Sequence, residues 1–160
     1  MRTDHIGEGY TMAHEGYAKR IGERLQHYWE SSRGDRTMPF ESDIDTSQLE
    51  DVWDACFLIR VDEGNAPRYV YMGTQLVEAY GDDIQARDVC ERLAYPASTT
   101  MLHRIDEVIS SKAIQYQEGE FINASGLRVC HRSILLPMAT EHKPEDVAFI
   151  LGGMRWKYYL

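Results

Sequence analysis

Apolar residues along this chain recur in two rhythms, and the switches between them mark out its elements. Over residues 12–33 the rhythm is helical: Tyr17, Ile21, Leu25 and Tyr28 recur at steps of four and three, while Lys19, Arg20, Glu23, Gln26 and Glu30 take the other side. This predicts an amphipathic helix with one apolar stripe, stopped by Gly34, after a loosely ordered N-terminus at residues 1–11. A loop with Pro39, Asp43 and Asp45 follows. Residues 55–61 (Ala-Cys-Phe-Leu-Ile-Arg-Val) are β-rich and end in the turn signal at residues 62–67. Residues 68–72 (Arg-Tyr-Val-Tyr-Met) form a second strand, and the pair reads as a hairpin. Short helical pieces broken near Gly81 are predicted over residues 74–93. A longer helix covers residues 97–113, with Pro96 at its start. Residues 114–122 and 127–138 are strands flanking the hairpin tip Asn123-Ala-Ser-Gly126, and a last strand covers residues 147–156.

Strands joined in sequence by short turns favour an antiparallel sheet, and helices grouped between them cover one of its faces. The expectation is one α+β domain over residues 12–160, with sheet and central helices at about residues 52–157. A chain of 160 residues, 43% hydrophobic and 27% charged, suits one such core.

Charge and cysteine usage narrow the partners. Seventeen basic against 26 acidic residues give a net charge of −9. Binding to a phosphate backbone requires clustered cations, so nucleic acid is not expected as a partner. The three cysteines, Cys56, Cys90 and Cys130, have no CxxC spacing and offer neither a disulfide framework nor a zinc site. No apolar run approaches the roughly 18 residues that span a bilayer. No signal-peptide core follows Met1, so a cytoplasmic protein without a membrane partner is expected.

Four local motifs sharpen the picture. They are His27-Tyr-Trp-Glu-Ser-Ser-Arg-Gly-Asp-Arg-Thr-Met-Pro39 with Asp43-Ile-Asp45; Arg68-Tyr-Val-Tyr-Met-Gly-Thr74; Ile134-Leu-Leu-Pro-Met138; and Ile150-Leu-Gly-Gly153. In this order, from about Tyr17 to Trp156, they resemble a bacterial, mainly alphaproteobacterial, family of PAS-domain proteins, most of them uncharacterised. The resemblance implies a PAS-like five-stranded antiparallel sheet with helices on one face, preceded by the N-terminal amphipathic helix. It also implies a signalling context without naming a ligand.

PAS domains usually work through a cavity between the inner sheet face and the helices. Alternation along the strands turns Phe57, Ile59 and Val61 inward and places Tyr69 and Tyr71 on one face. The long helix offers Met101, Ile105 and Val108. His131, in phase with Val129 and Ser133, faces the same way. The candidate ligand-binding set is therefore Phe57, Ile59, Tyr69, Tyr71, Met101, Ile105 and His131, with a fully packed core as the alternative reading.

Haem-binding PAS domains hold iron through a histidine on the long helix. His103 is on that helix, about 160° from the apolar stripe at about 100° per residue, and is read as solvated. Flavin-binding PAS photosensors resemble an Asn-Cys-Arg-Phe-Leu-Gln pattern. Here that region is Arg87-Asp-Val-Cys-Glu-Arg-Leu93, which lacks the pattern and would put the required cysteine at Val89, so Cys90 is read as structural. No haem, flavin, metal or other cofactor is expected. Cys130 and His131 are neighbours in a strand and point apart, so they cannot act as a nucleophilic pair. Gly152-Gly153 lies within a strand and is not a phosphate loop. With no catalytic constellation, the chain reads as a non-enzymatic module that binds a small molecule or a partner and signals in trans to a separate protein. The alternatives are a ligand-free interaction and dimerisation module and, behind it, a small cone-cavity enzyme relying on His131. A homodimer is expected through the N-terminal helix against the outer sheet face. The stripe is to be buried on the outer sheet face of its own chain, on the matching helix of a second copy, or on both, with Trp29 placed to reach a second surface.

Overall fold

The computed structural model describes residues 8–62, 64–81 and 98–159, with side chains from residue 21 onward in the first helix and from 104 onward in the long one. Its elements are α1 (Glu8–Arg33), β1 (Cys56–Arg60), β2 (Arg68–Met72), α2 (Thr74–Tyr80), α3 (Ser98–Ser111), β3 (Gln115–Ile122), β4 (Arg128–Met138) and β5 (Phe149–Tyr159). The strands form a single antiparallel sheet of five in the order β2-β1-β5-β4-β3. The helix α1 begins at Glu8, within the stretch that the sequence assigns to a loose N-terminus. Of the helical pieces expected over residues 74–93, the described one is α2, which ends at Gly81; the remainder, with Cys90, lies outside the described residues.

Two apolar cores result, one on each face. The inner core joins α2 and α3, through Leu76, Ala79, Tyr80, Ile105 and Val108, to Phe57, Ile59, Tyr69, Phe121, Val129, Leu135, Ile150 and Met154. The outer core seats Ile21, Leu25, Tyr28 and Trp29 of α1 on Ile134, Leu136, Met138 and Leu151. The glycine pair in β5 serves both. A Cβ at Gly152 would stand 2.1 Å from the Phe57 ring on the inner side, and one at Gly153 would stand 2.4 Å from Leu25 on the outer side. Each face thus gains a close approach that any larger residue would block.

The motif around residues 27–45 is the clamp of α1. The Tyr28 hydroxyl donates to the Asp43 carbonyl at 2.6 Å and accepts the Asp45 amide at 2.7 Å. Arg36 pairs with the Asp43 carboxylate at 2.7 Å and lies over the Phe40 ring. The buried Trp29 indole donates to the Pro137 carbonyl at 2.7 Å, and Arg24 forms a two-pronged pair with Asp51. Trp29 is therefore used on its own chain's sheet and is not free to reach a second surface. From Ile21 to Trp29 the apolar residues of the helix are already covered within one chain. For these residues the sheet of the same chain supplies the burial, one of the two ways the sequence left open; the Tyr17 side chain lies outside the described residues.

Among the described residues no helix is long and apolar enough to cross a membrane.

Candidate functional site

The inner face is laid out by register. In β3 the residues Gln117, Gly119 and Phe121 alternate with exposed Glu118 and Glu120, and they pair across to Ser133, His131 and Val129 of β4. Continuing into β5, Ser133 meets Met154, His131 meets Trp156 and Val129 meets Tyr158. On the other half of the face, Phe57 and Ile59 of β1 pair with Gly152 and Ile150. The two halves differ in chemistry. The β1–β2 half is apolar and aromatic. The β3–β4 half places three buried neutral polar side chains together: Gln117, His131 and Ser133.

Aromatic rings connect the halves. Phe57 meets Tyr69 edge-on at 5.7 Å, Tyr69 meets Tyr80 at 6.2 Å, Tyr80 stacks on Phe121 at 4.7 Å, and Phe121 lies 5.9 Å from His131. The Tyr69 and Tyr80 hydroxyls share a hydrogen bond of 3.2 Å. Asn123, at the foot of the β3–β4 turn, is buried and fully used. Its carbonyl oxygen accepts the amides of Ser125 and Leu127, and its Nδ2 donates to the Ala79 carbonyl, fixing the turn to α2.

The polar patch itself is not fully used. His131 Nδ1 shares a hydrogen bond of 3.1 Å with Ser133 Oγ. Its ring lies across Gly119, where a Cβ would stand 3.3 Å from Nε2. Burial alone pushes the imidazole down to about 4, so it is neutral near neutral pH. Gln117 is 6% exposed, and neither its Oε1 nor its Nε2 has a hydrogen-bond partner. A buried amide with both atoms unsatisfied is uncommon in a folded protein and carries a desolvation penalty.

The expected site residues divide as follows. Phe57, Ile59, Tyr69, Ile105 and His131 come together on the inner face. Tyr71 does not. Ile59 pairs with Tyr69 and Leu58 with Tyr71, so Val70 is an extra residue in β2, a β-bulge. The bulge breaks the alternation and turns Tyr71 to the outer side. There it stacks on Trp53 at 4.6 Å and donates to the Trp53 carbonyl, and burial pushes its hydroxyl up to about 12. The side chains of Met101 and His103 lie outside the described residues.

Gln117 escaped the sequence reading although a signal was present. Once Phe121 fixes the phase of β3, the residues two and four places earlier fall on the inner face. A glutamine in a core-facing phase is the anomaly. Cys56, wholly buried, has a thiol pushed up to about 12 by burial and packs as a small apolar group. Cys130 points to the outer side, 3.5 Å from Glu120. Among the described residues no group of three His, Cys, Asp or Glu could hold a metal ion.

The geometry agrees with what known proteins show. The family described as PAS domain matches residues 18–154. The PAS domain of the fruit-fly ELK potassium channel is 19% identical with a TM-score of 0.51, covering 68% of this chain and 91% of that one. A LOV protein from Rhodobacter sphaeroides is 13% identical with a TM-score of 0.51, covering 73% and 69%. The LOV domain of a blue-light-activated histidine kinase from Erythrobacter litoralis is 12% identical with a TM-score of 0.50, covering 62% and 91%. At these identities the likeness is one of fold. No curated protein matches the chain.

Proposed function

Because this chain belongs to the PAS domain family, we propose that it is a sensory or regulatory module that takes a small molecule on the inner face of its sheet. The bound state is read by a separate protein or a second copy of the chain. The fold is of the kind used by sensory signalling modules, including light-sensing ones. The observation that carries the small-molecule reading is Gln117, a buried amide without a partner on the same face as a neutral histidine. A core selected only for packing gains from an apolar residue at that position. A ligand that supplies the missing hydrogen bonds reverses the preference.

The module is proposed to act without catalysis. His131 is a poor base near neutral pH, and its hydrogen-bond partner among the described residues is a serine rather than a carboxylate that would orient it. A second reading, an interaction module with a closed core, is favoured by the continuous aromatic packing from Phe57 to Phe121 and by the mutual Tyr69–Tyr80 hydrogen bond.

Native mass spectrometry of freshly purified full chain separates the two. The proposal expects a mass excess that is released on denaturation and weakened by substitution at Gln117 or His131. A spectrum showing bare chain only, with partner proteins retained in pull-down by wild type and by Gln117→Leu alike, would favour the interaction module.

A further inference from the structure

Building on the proposed ligand-binding face, we infer that its ligand is uncharged and presents a hydrogen-bond donor and an acceptor side by side, as an amide, lactam or ureido edge does. Gln117 has an acceptor, Oε1, next to a donor, Nε2–H, and both are buried without a hydrogen-bond partner. Two parallel hydrogen bonds form only with an edge that offers the opposite pair in register. A carboxylate accepts at both positions, which sets one of its oxygens against Oε1. An ammonium or amidinium only donates, which sets its N–H groups against Nε2.

The surroundings reinforce that selection. The buried polar groups of the inner face among the described residues are Gln117, Asn123, His131 and Ser133, and none carries a formal charge near neutral pH. An ionic ligand would lose its hydration without meeting a counter-charge among the described residues of this face, which is costly in a buried site. His131 and Ser133 form a pair that can donate or accept as the ligand requires, since the serine hydroxyl rotates and the neutral imidazole has two tautomers. Phe121, further along the same face of β3, is stacked on Tyr80 and separated from Gln117 by the His131 ring over Gly119, so the selection rests on the polar groups.

A charge series on one molecular shape tests this. Benzamide, benzoate and benzamidinium are titrated at millimolar concentration into ¹⁵N-labelled full chain. The side-chain NH₂ resonances of Gln117 are assigned by their loss in Gln117→Leu. The inference expects benzamide to move these resonances and to bind at least about tenfold more tightly than either ion, with that preference lost in Gln117→Leu. Should Gln117→Leu fail to fold, the order of the three probes on wild type still decides the matter, with Gln117→Met supplying the assignment. Benzoate or benzamidinium binding as tightly as benzamide, or a charged compound co-purifying with the chain, overturns the inference and leaves the ligand-binding reading in place. Gln117 resonances that none of the probes moves also overturn it, and the wider reading then rests on the native mass spectrum alone.

Discussion

The two faces of the sheet are built to different standards of completeness. On the outer face, α1 lies in a seat cut for it. Leu25 is fully buried against Gly153, the Trp29 indole is bonded to the Pro137 carbonyl, and Tyr28, Arg36, Asp43 and Asp45 close the clamp. The inner face is equally well packed between β1, β2 and the helices. It then changes, at β3 and β4, to a patch where a buried amide has no partner and a buried histidine is held neutral. The residues of the α1 seat stabilise the fold of the single chain. The inner patch keeps a buried amide without a partner, a cost in stability that a bound ligand would offset under the proposed function.

The sharpest way to break this contrast is to damage the seat of α1. Leu25→Ala should cost about 2–5 kcal/mol, measured by urea denaturation, because the cavity it leaves is closed on all sides. Gly153→Ala should cost about 1–3 kcal/mol by pushing α1 off the sheet. A loss below about 1 kcal/mol for Leu25→Ala would mean that the outer face is not the locked half.

Acidification probes the other face. The folded-state value of His131 lies near 4, below its ordinary 6.5. The unfolded chain therefore takes up the proton first as pH falls. Stability from this residue is fully present above about 6.5, declines through the interval, and is lost below about 4, for a total of about 3 kcal/mol. Comparing urea midpoints of wild type and His131→Gln across that range isolates the contribution. Curves that stay parallel would show that the histidine is not buried as described.

A smaller effect sharpens the assignment of residues to faces. Tyr71→Phe should cost about 0.5–1.5 kcal/mol through its bond to the Trp53 carbonyl and leave ligand binding unchanged. Tyr69→Phe, on the inner face, should alter ligand affinity as well, read by isothermal titration with the co-purified compound or with benzamide. Equal effects of the two substitutions on binding would contradict the β-bulge assignment.

What could be read from the sequence follows the same division. Three of the motifs that suggested the family hold residues of the outer seat: the helix end and loop at residues 27–45, Ile134–Met138 and Ile150–Gly153. They depend on local spacing and on large apolar contacts within one chain, so they reveal the fold and the element order. The inner patch depends on cross-strand register. Gln117 meets Ser133 and Gly119 meets His131 only after β3 and β4 pair, and nothing in either segment alone announces the meeting. Strand alternation placed His131, Phe57, Ile59 and Tyr69 correctly. It failed at Tyr71 because one inserted residue, Val70, reverses the phase, and a bulge within Arg-Tyr-Val-Tyr-Met has no signature in side-chain type. The apolar stripe of α1 was legible, but the fact that its own sheet would cover Trp29 was not, because that depends on the Pro137 carbonyl more than one hundred residues away.

The central claim is that Gln117 is kept on the inner face for a ligand and against stability. Equilibrium urea denaturation of ligand-free wild type and Gln117→Leu, two side chains of similar volume, measures this directly. The account predicts that the leucine variant is more stable by about 1–3 kcal/mol, since an unsatisfied buried amide is removed, while it loses the bound compound. A leucine variant that is less stable than wild type in the absence of ligand would contradict it.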